Sequence, residues 1–390
     1  MKIVHYCQHV LGIGHFFRSL EIGRALKRHE VFLVTGGSSI EASLPDNIRE
    51  IRLPGLMMDR NFKKIFSTNQ EKSVEQIKKD RQKLIFDLFA KEAPDLFIVE
   101  LFPFGRKGFR FELDPILKWV RNRGLHRCKV ICSLRDILVE KEDAAKYEKR
   151  VVDSLNRYFD ALLIHADHDF IQLDETFSRT GDISVPLTYT GFVTPKPPPG
   201  ARSRLRKKLG VEREEVLVVV SAGGGNVGAP LLEAVINAVE HMDSKESLYL
   251  YVFTGPYMKK SAFDGFKKLA GKRIKIDRFT PDFLSYLAAA DLSVSMAGYN
   301  TCMNILAAQV PSLVWPFSQN REQRMRAERL SELKAMKVLE DKDLEPNRLA
   351  SLMDNLLAGA FSKHISIDLD GAENTAQWIE TWIDTQGGRL

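Results

Sequence analysis

Short apolar runs alternate with amphipathic stretches along almost the whole chain, and that alternation leaves few architectures open. The segments "KIVHYC", "EVFLVTG", "DLFIVE", "KVICSL" and "ALLIHA" are short and almost uniformly apolar. Strands buried on both faces read this way, and helices between them imply a parallel sheet covered on both sides. Helices are predicted over "FFRSLEIGRALKR", "EQIKKDRQKLIFDLFAKEA" and "PILKWVRNRG". In the second of these, Ile77, Leu84, Ile85, Leu88 and Phe89 fall on one side. Between "EVFLVTG" and that helix only a short acidic helix or loop is expected.

Around residues 193 to 203 the texture changes. "VTPKPPPGARSR" holds four prolines and a glycine and predicts a stiff, non-helical connector. Alternation then restarts through "EVLVVVS", "PLLEAVINAVEHM", "SLYLYVFTG", "RIKIDRF", "LSVSMAG" and "SLVWPF". A chain of 390 residues can bury two cores. The expected organisation is an α/β Rossmann-like domain over residues 1–195, a linker over 196–203 and a second Rossmann-like domain over 204–366. A last helix, over 367–390, is expected to return to the first domain. Sheets of this class bind ligands at the carboxyl ends of their strands, so the two domains are expected to face each other across a cleft.

The bulk numbers remove several function classes. No apolar run approaches the roughly 20 residues of a membrane span. "MKIVHYCQHV" lacks the apolar core and cleavage site of a signal peptide. The four cysteines, Cys7, Cys128, Cys132 and Cys302, form no CxxC pair, which points to free thiols in a reducing compartment and to no zinc site. The net charge of +6 fits an anionic partner, a nucleotide phosphate or an anionic membrane surface. Basic and aromatic residues do not interleave, so nucleic acid is not the expected partner. A cytoplasmic location is expected, with attachment at the inner face of the membrane compatible with the charge.

Three loops after strands carry the chemistry. "GIGHFFR" places Gly12 and Gly14 at a turn into a helix, with His15 and Arg18 on its first turns. It lacks the third glycine of a dinucleotide fingerprint, and "VTGG" offers no acidic residue to a ribose. His15 either caps the helix or acts as a base or phosphate contact, and Arg18 either binds a phosphate or pairs with Glu21. "SAGGGNV" brings Gly223, Gly224, Gly225 and Asn226 to a turn without a Walker lysine, which suits a diphosphate. The third stretch, residues 296 to 323, opens a helix at Asn300–Thr301 after Gly298, with Asn304 one turn on. A strand then leads into "SQNREQ". His165 and His168 are not spaced as a helical metal site. "GLMMDRNFKKIF" mixes apolar and basic residues and is expected to be a solvated loop, with lipid or an acceptor as the alternative occupant.

At these residues the sequence resembles nucleotide-sugar glycosyltransferases of the GT-B fold, a glycosyltransferase family 28-like group. It is most similar to the branch that makes lipid II in peptidoglycan synthesis. The stretches "IVELFPFGRKGFRFEL" and "ICSLRDIL" also resemble an uncharacterised group of predicted glycosyltransferases. The resemblance implies a hexosyltransferase moving a hexose or N-acetylhexosamine from a nucleotide sugar, expected to be UDP-linked, to a hydroxyl acceptor for which a lipid-linked molecule fits. It implies diphosphate contacts at Gly12, Gly14, Gly223, Gly224, Gly225, Asn226, Gly298, Asn300 and Thr301. Phe279, Thr280 and Asn304 would meet the nucleoside, and Asn320 and Gln323 the sugar. Arg18, Arg106 and Arg135 fall on the acceptor side. The family's usual Glu is replaced by Asn304, which has one acceptor oxygen instead of two, and plant-type relatives have His where this chain has Met296. No cofactor is implied beyond the nucleotide sugar as substrate.

The chemistry expected is inverting and, since no DxD-type carboxylate pair is evident, metal-independent. Helix N-termini and backbone N–H groups would stabilise the leaving diphosphate. His15 is the expected base, with Glu100 and Asp136 as alternatives that instead pair with Arg106 or Arg135. "GxGHxxR" equally resembles a UDP-sugar hydrolase of pseudaminic acid synthesis. Hydrolysis, 2-epimerisation and silent nucleotide-sugar binding are therefore the other readings.

Overall fold

A computed structural model describes the chain except residues 10–12, 38–39, 41, 59–63, 69–70, 125–127, 139–142, 226, 244, 320, 360–365 and 388–390. It divides into two compact units, Met1–Val193 with Ile367–Leu390, and Thr194–Ser366. The first unit holds β1 (Lys2–Cys7), α1 (Gly14–Ala25), β2 (Glu30–Thr35), β3 (Ile48–Arg52), β4 (Leu56–Met58) and β5 (Ile65–Ser67). It continues with α2 (Val74–Glu92), β6 (Leu96–Glu100), α3 (Arg110–Trp119), β7 (Lys129–Arg135), α4 (Ala144–Tyr158), β8 (Ala161–His165) and β9 (Leu187–Tyr189). The second unit holds α5 (Ala201–Leu209), β10 (Val216–Ser221), α6 (Ala229–Ala238), β11 (Leu248–Phe253), α7 (Lys260–Lys267) and β12 (Ile274–Asp277). Then follow α8 (Phe283–Ala289), β13 (Leu292–Met296), α9 (Tyr299–Ala308), β14 (Ser312–Trp315), α10 (Arg321–Glu332), β15 (Lys337–Val338) and α11 (Pro346–Ala358). The last helix, α12 (Gly371–Gly387), lies in the first unit.

The first sheet runs β3-β2-β1-β6-β7-β8-β9 and the second β12-β11-β10-β13-β14-β15. Their described pairings are parallel. The apolar runs supply strands buried on both faces, such as β6 and β13. In each sheet the chain reverses direction of growth once, between β1 and β6 and between β10 and β13. Those switch points open a crevice at the carboxyl end of the sheet. One core gathers Phe16, Leu20 and Ile22 of α1 with Ala372, Ala376 and Ile379 of α12. A second surrounds Val218, Leu250 and Val294.

Several details depart from the expectations. The stretch 196–203 belongs to the second unit, and α5 begins inside it at Ala201. Gly200 takes φ 67 as its cap, and Arg202 and Arg206 tie the helix to Asp291 at 2.5 and 2.9 Å. A third strand and the antiparallel hairpin β4–β5 fill the region expected to be helix or loop. The helix predicted from Pro115 starts at Arg110 and contains the proline. The carbonyl of Phe111, which a proline four residues later cannot serve, accepts from the Gln82 amide at 2.5 Å.

Leu84 is 40% exposed, whereas Arg81 is fully buried. The buried side of α2 is centred on that arginine, and Leu84 lies at its margin. Arg81 is accommodated because all five of its N–H donors are used. Nε and Nη2 reach Glu112 at 2.8 and 2.6 Å, Nη2 also reaches Gln8 Oε1 at 2.7 Å, and Nη1 reaches the carbonyls of Gly36 and Pro54 at 3.0 and 2.8 Å. The Tyr6 hydroxyl donates to Glu112 from the other side at 2.5 Å.

Candidate functional site

The first cluster forms at the switch point of the first sheet. β1 ends in the glycine turn, and α1 begins at Gly14. Ile13 is the helix cap, with no side-chain cap bond, so His15 does not cap the helix. Its ring turns to Glu100, the last residue of β6, and Nδ1 lies 2.9 Å from Oε1. Arg18, one turn along α1, donates to the same Oε1 and lies 3.0 Å from His15 Nδ1. Glu21 pairs with Arg24 at 2.7 Å instead of with Arg18.

Glu100 and Arg18 are buried, whereas the His15 side chain keeps 19% of its surface. Burial alone would raise the Glu100 carboxyl. The charges and hydrogen bonds of His15 and Arg18 outweigh that and hold it below the usual carboxylate range. Burial pushes His15 down to about 3 despite the adjacent carboxylate, with Arg106 and Arg18 adding to the fall. The consistent arrangement is an ionised Glu100 and a neutral imidazole whose Nδ1–H donates to it. Nε2 then carries the lone pair.

Further polar groups line this part of the interior. His5 of β1 is fully buried, and both its ring nitrogens lack hydrogen-bond partners among the described residues. His165 of β8 meets the hydroxyls of Ser133 and Thr190 at 2.7 and 2.9 Å. Both of its nitrogens are therefore occupied, and His168 stands apart, exposed beside Asp169. Asp136 is buried just past β7, and Arg135 is that strand's last residue, in register with His165. Gly12 lies outside the described residues.

The second cluster surrounds the switch point of the second sheet. Gly223 and Gly225 have φ 60 and 87, values that glycine adopts without strain. The loop is braced by a partner the sequence reading missed, Thr254–Gly255 after β11. A Cβ on Gly225 would lie 2.5 Å from the Thr254 carbonyl, and one on Gly255 (φ 88) would lie 2.3 Å from the Gly225 nitrogen. Tyr257 N–H then donates to the Gly224 carbonyl at 3.0 Å. The signal was present as a glycine ending the apolar run "SLYLYVFTG", but only the pairing of β10 with β11 gives it meaning.

Across the switch point, α9 starts at Tyr299, one residue before the predicted Asn300–Thr301, with Gly298 as cap. Gly298 supplies no side-chain cap bond to this helix start. Among the described residues, Thr301 Oγ1, at 3.9 Å, is the one atom that approaches the position of a Cβ on Gly298. Asn304 Oδ1 accepts the Thr194 hydroxyl at 2.9 Å. After β12, Phe279 is 37% exposed, and Thr280 Oγ1 accepts from Asp282 N–H. Gln323, in α10 after β14, accepts from Phe317 N–H through Oε1 at 3.1 Å. Asn226 and Asn320 lie outside the described residues. Every other donor-side position therefore falls in or just after a loop at the carboxyl end of the second sheet, except Gly14, which belongs to the first unit.

Comparison with known proteins agrees with this geometry. Residues 217–364 match the glycosyltransferase family 28 C-terminal domain, a range that contains all of those second-unit loops. The chain is 28% identical over 155 residues to the UDP-N-acetylglucosamine–N-acetylmuramyl-(pentapeptide) pyrophosphoryl-undecaprenol N-acetylglucosamine transferase of Caldicellulosiruptor saccharolyticus, covering 39% of this chain and 41% of the relative. It is 20% identical over 221 residues to an uncharacterised glycosyltransferase of Methanopyrus kandleri, covering 55% and 61%. The chain thus spans less than two thirds of the length of either relative. Among solved structures, the calicheamicin glycosyltransferase superposes with TM-score 0.55 at 17% identity, over 100% of this chain and 98% of that one. MurG of Acinetobacter baumannii does so with TM-score 0.52 at 15% identity, over 100% of both. Among the described residues, no helix is long and apolar enough to cross a membrane. The chain has the fold of the GT-B glycosyltransferases, and residues 217–364 of its second unit match the glycosyltransferase family 28 C-terminal domain.

Proposed function

We propose that this chain is a metal-independent, inverting glycosyltransferase that moves a hexose or N-acetylhexosamine from a UDP-sugar to an acceptor hydroxyl. One observation carries the reading. The family 28 match coincides with a braced glycine loop and a glycine-capped helix start on either side of the second sheet's switch point. A diphosphate needs close backbone approach and N–H donors, which glycine turns and helix starts suit. Asn304 has its oxygen engaged by Thr194, so it meets the ribose as an amide donor. Phe279 and Thr280 are assigned to the base, and Asn320 and Gln323 to the sugar.

The first unit supplies the proton chemistry. A neutral His15, with Nδ1–H held on Glu100, takes the acceptor proton at Nε2, and the carboxylate stabilises the imidazolium that forms. Asp136 is a less apt base, since His15 and Glu100 already form a positioned pair. As C–O bond breaking proceeds, negative charge moves onto the diphosphate, where the helix N-termini of the second unit stabilise it. The relative that acts on a pyrophosphoryl-undecaprenol substrate supports a lipid-linked acceptor and work at the inner membrane face. A second reading is hydrolysis. It is favoured by the convergence of His15 and Arg18, the two chemical positions of "GIGHFFR", on one carboxylate, which suits water as well as an alcohol.

The test is calorimetry and thermal shift with UDP, dTDP, GDP, ADP and their sugar conjugates, with EDTA present. UDP or one of its conjugates is expected to raise the melting temperature by binding only the folded chain. Sugar release or transfer is expected to fall on the order of 10²–10⁴-fold in His15→Ala with nucleotide binding retained. Release without an acceptor would select hydrolysis. A melting curve that none of these nucleotides moves would defeat the donor assignment.

A further inference from the structure

The polar interior around Glu100 holds an arginine, Arg106, that the proposed chemistry does not use. Arg106 ends the turn that follows β6, and its backbone takes φ 58, a left-handed conformation unfavourable for any residue but glycine. Its guanidinium lies within electrostatic reach of Glu100, Cys7, Tyr6 and Arg135, so it turns back to the ends of β1 and β6. Nε and Nη2 are both buried, and neither has a hydrogen-bond partner among the described residues. Nε–H and Nη2–H form one edge of the planar guanidinium, the edge that grips two oxygens of a carboxylate or phosphate side by side.

Such an edge left unpaired has lost water and recovered nothing. Glu100 does not fill it. Its Oε1 takes Arg18 and His15, and its Oε2 has no partner among the described residues. The surroundings are cationic, with Arg18, Arg106 and Arg135 set against Glu100. Burial and the nearby Arg135 weaken the hold of Arg106 on its proton, which an added anion would reverse. Arg81 shows the alternative outcome in the same unit, where every donor is satisfied by the protein itself.

We propose that Arg106 anchors an oxyanion site in the first unit, gripping a carboxylate or phosphate group of a ligand through Nε–H and Nη2–H. Under the glycosyltransferase reading, on which only this clause rests, the anion belongs to the acceptor and lies close to its attacking hydroxyl. The site exists whether or not that reading holds.

The experiment titrates the full chain, saturated with UDP to fill the second unit, with inorganic phosphate and separately with malonate. It compares the natural chain with Arg106→Lys and Arg106→Met. At least one titrant is expected to bind the natural chain. Affinity is expected to fall about tenfold or more in Arg106→Lys, which keeps the charge but loses the fork, and to vanish in Arg106→Met. Affinity for UDP should stay unchanged in all three. Tighter phosphate identifies a phosphorylated ligand, and tighter malonate a carboxylate-bearing one. Two results overturn the proposal: neither titrant binds, or the three proteins bind alike. If Arg106→Met does not fold, Arg106→Lys decides alone. If UDP fails to bind, the donor assignment falls separately, and the dependence on Arg106 is read without it.

Discussion

Among the described residues, the first unit contains two buried arginine–glutamate pairs, and they are built to opposite rules. Arg81 and Glu112 are both fully buried, and each guanidinium donor and both carboxylate oxygens are engaged. Arg18 and Glu100 are as deeply buried, but one oxygen of Glu100 receives both Arg18 and His15 while the other has no partner among the described residues. The first pair is closed. The second is open, and His15, which shares its carboxylate, reaches the surface. A buried charge that the fold satisfies completely holds elements together. A buried charge left incomplete carries a desolvation cost that only a further partner offsets.

Acid gives the sharpest separation of the two pairs. His5, His15 and His165 cluster electrostatically around Glu100 and Arg18, and burial lowers them to about 4, 3 and 3. In the unfolded chain each titrates near 6.5. Between those values the unfolded chain binds protons that the folded chain refuses, so stability falls as pH drops below 6.5. With all three contributing, the slope reaches at most about 4 kcal/mol per pH unit. Glu100 adds to the loss at lower pH, because its depressed folded value means that protonation removes a native interaction. Urea midpoints measured from pH 7 to 4 should show this fall, and His5→Gln should flatten it. An unchanged slope in His5→Gln would remove that histidine from the cluster.

Breaking the closed pair comes next in size. Arg81→Met should cost about 3–5 kcal/mol, because Glu112 is left charged and buried. The double change Arg81→Met with Glu112→Leu should recover much of that. His15→Ala should leave the urea midpoint nearly unmoved while activity collapses. A large midpoint shift in His15→Ala and none in Arg81→Met would reverse the roles assigned here.

Arg18 offers a smaller effect. It competes with His15 for one oxygen, so Arg18→Met should let His15 keep a proton to higher pH. The acid limb of kcat/KM should move up by about one unit. An unmoved limb, or a His15 ring resonance that titrates as before, would show that Arg18 does not tune the base.

The smallest effects test the same contrast of filled and open space in the second unit. Gly255→Ala places a carbon against backbone at φ 88, and it should cost about 1–3 kcal/mol. Gly298→Ala, in open space at φ −67, should change stability by less than about 0.5 kcal/mol. It should nevertheless weaken UDP binding where the ligand approaches the backbone. Equal thermal shifts for the two variants would remove the contrast.

Much of the fold was legible because parallel strands buried on both faces leave continuous apolar runs, and those runs became β1, β2, β6, β7 and β8 in the first unit and β10 to β14 in the second. Arg81 was not legible as a core residue, since its acceptors lie on α3 and in three loops, one of them just after β1. Pro115 read as a helix start because its remedy, the Gln82 amide, sits on another helix.

The sequence by itself determined where the chain turns and which residue types stand at each turn. Gly14 and His15 begin α1, glycines follow β10, and Gly298 and Asn300 open α9. That information is local, carried by glycine, capping residues and apolar period. Only the tertiary structure decided which turns meet. Glu100 finds His15 across 85 residues because β6 lies beside β1, and Gly255 finds Gly225 because β11 lies beside β10. Strand order depends on how two faces of a sheet are covered at once, a sum over the whole unit that no single stretch of sequence states.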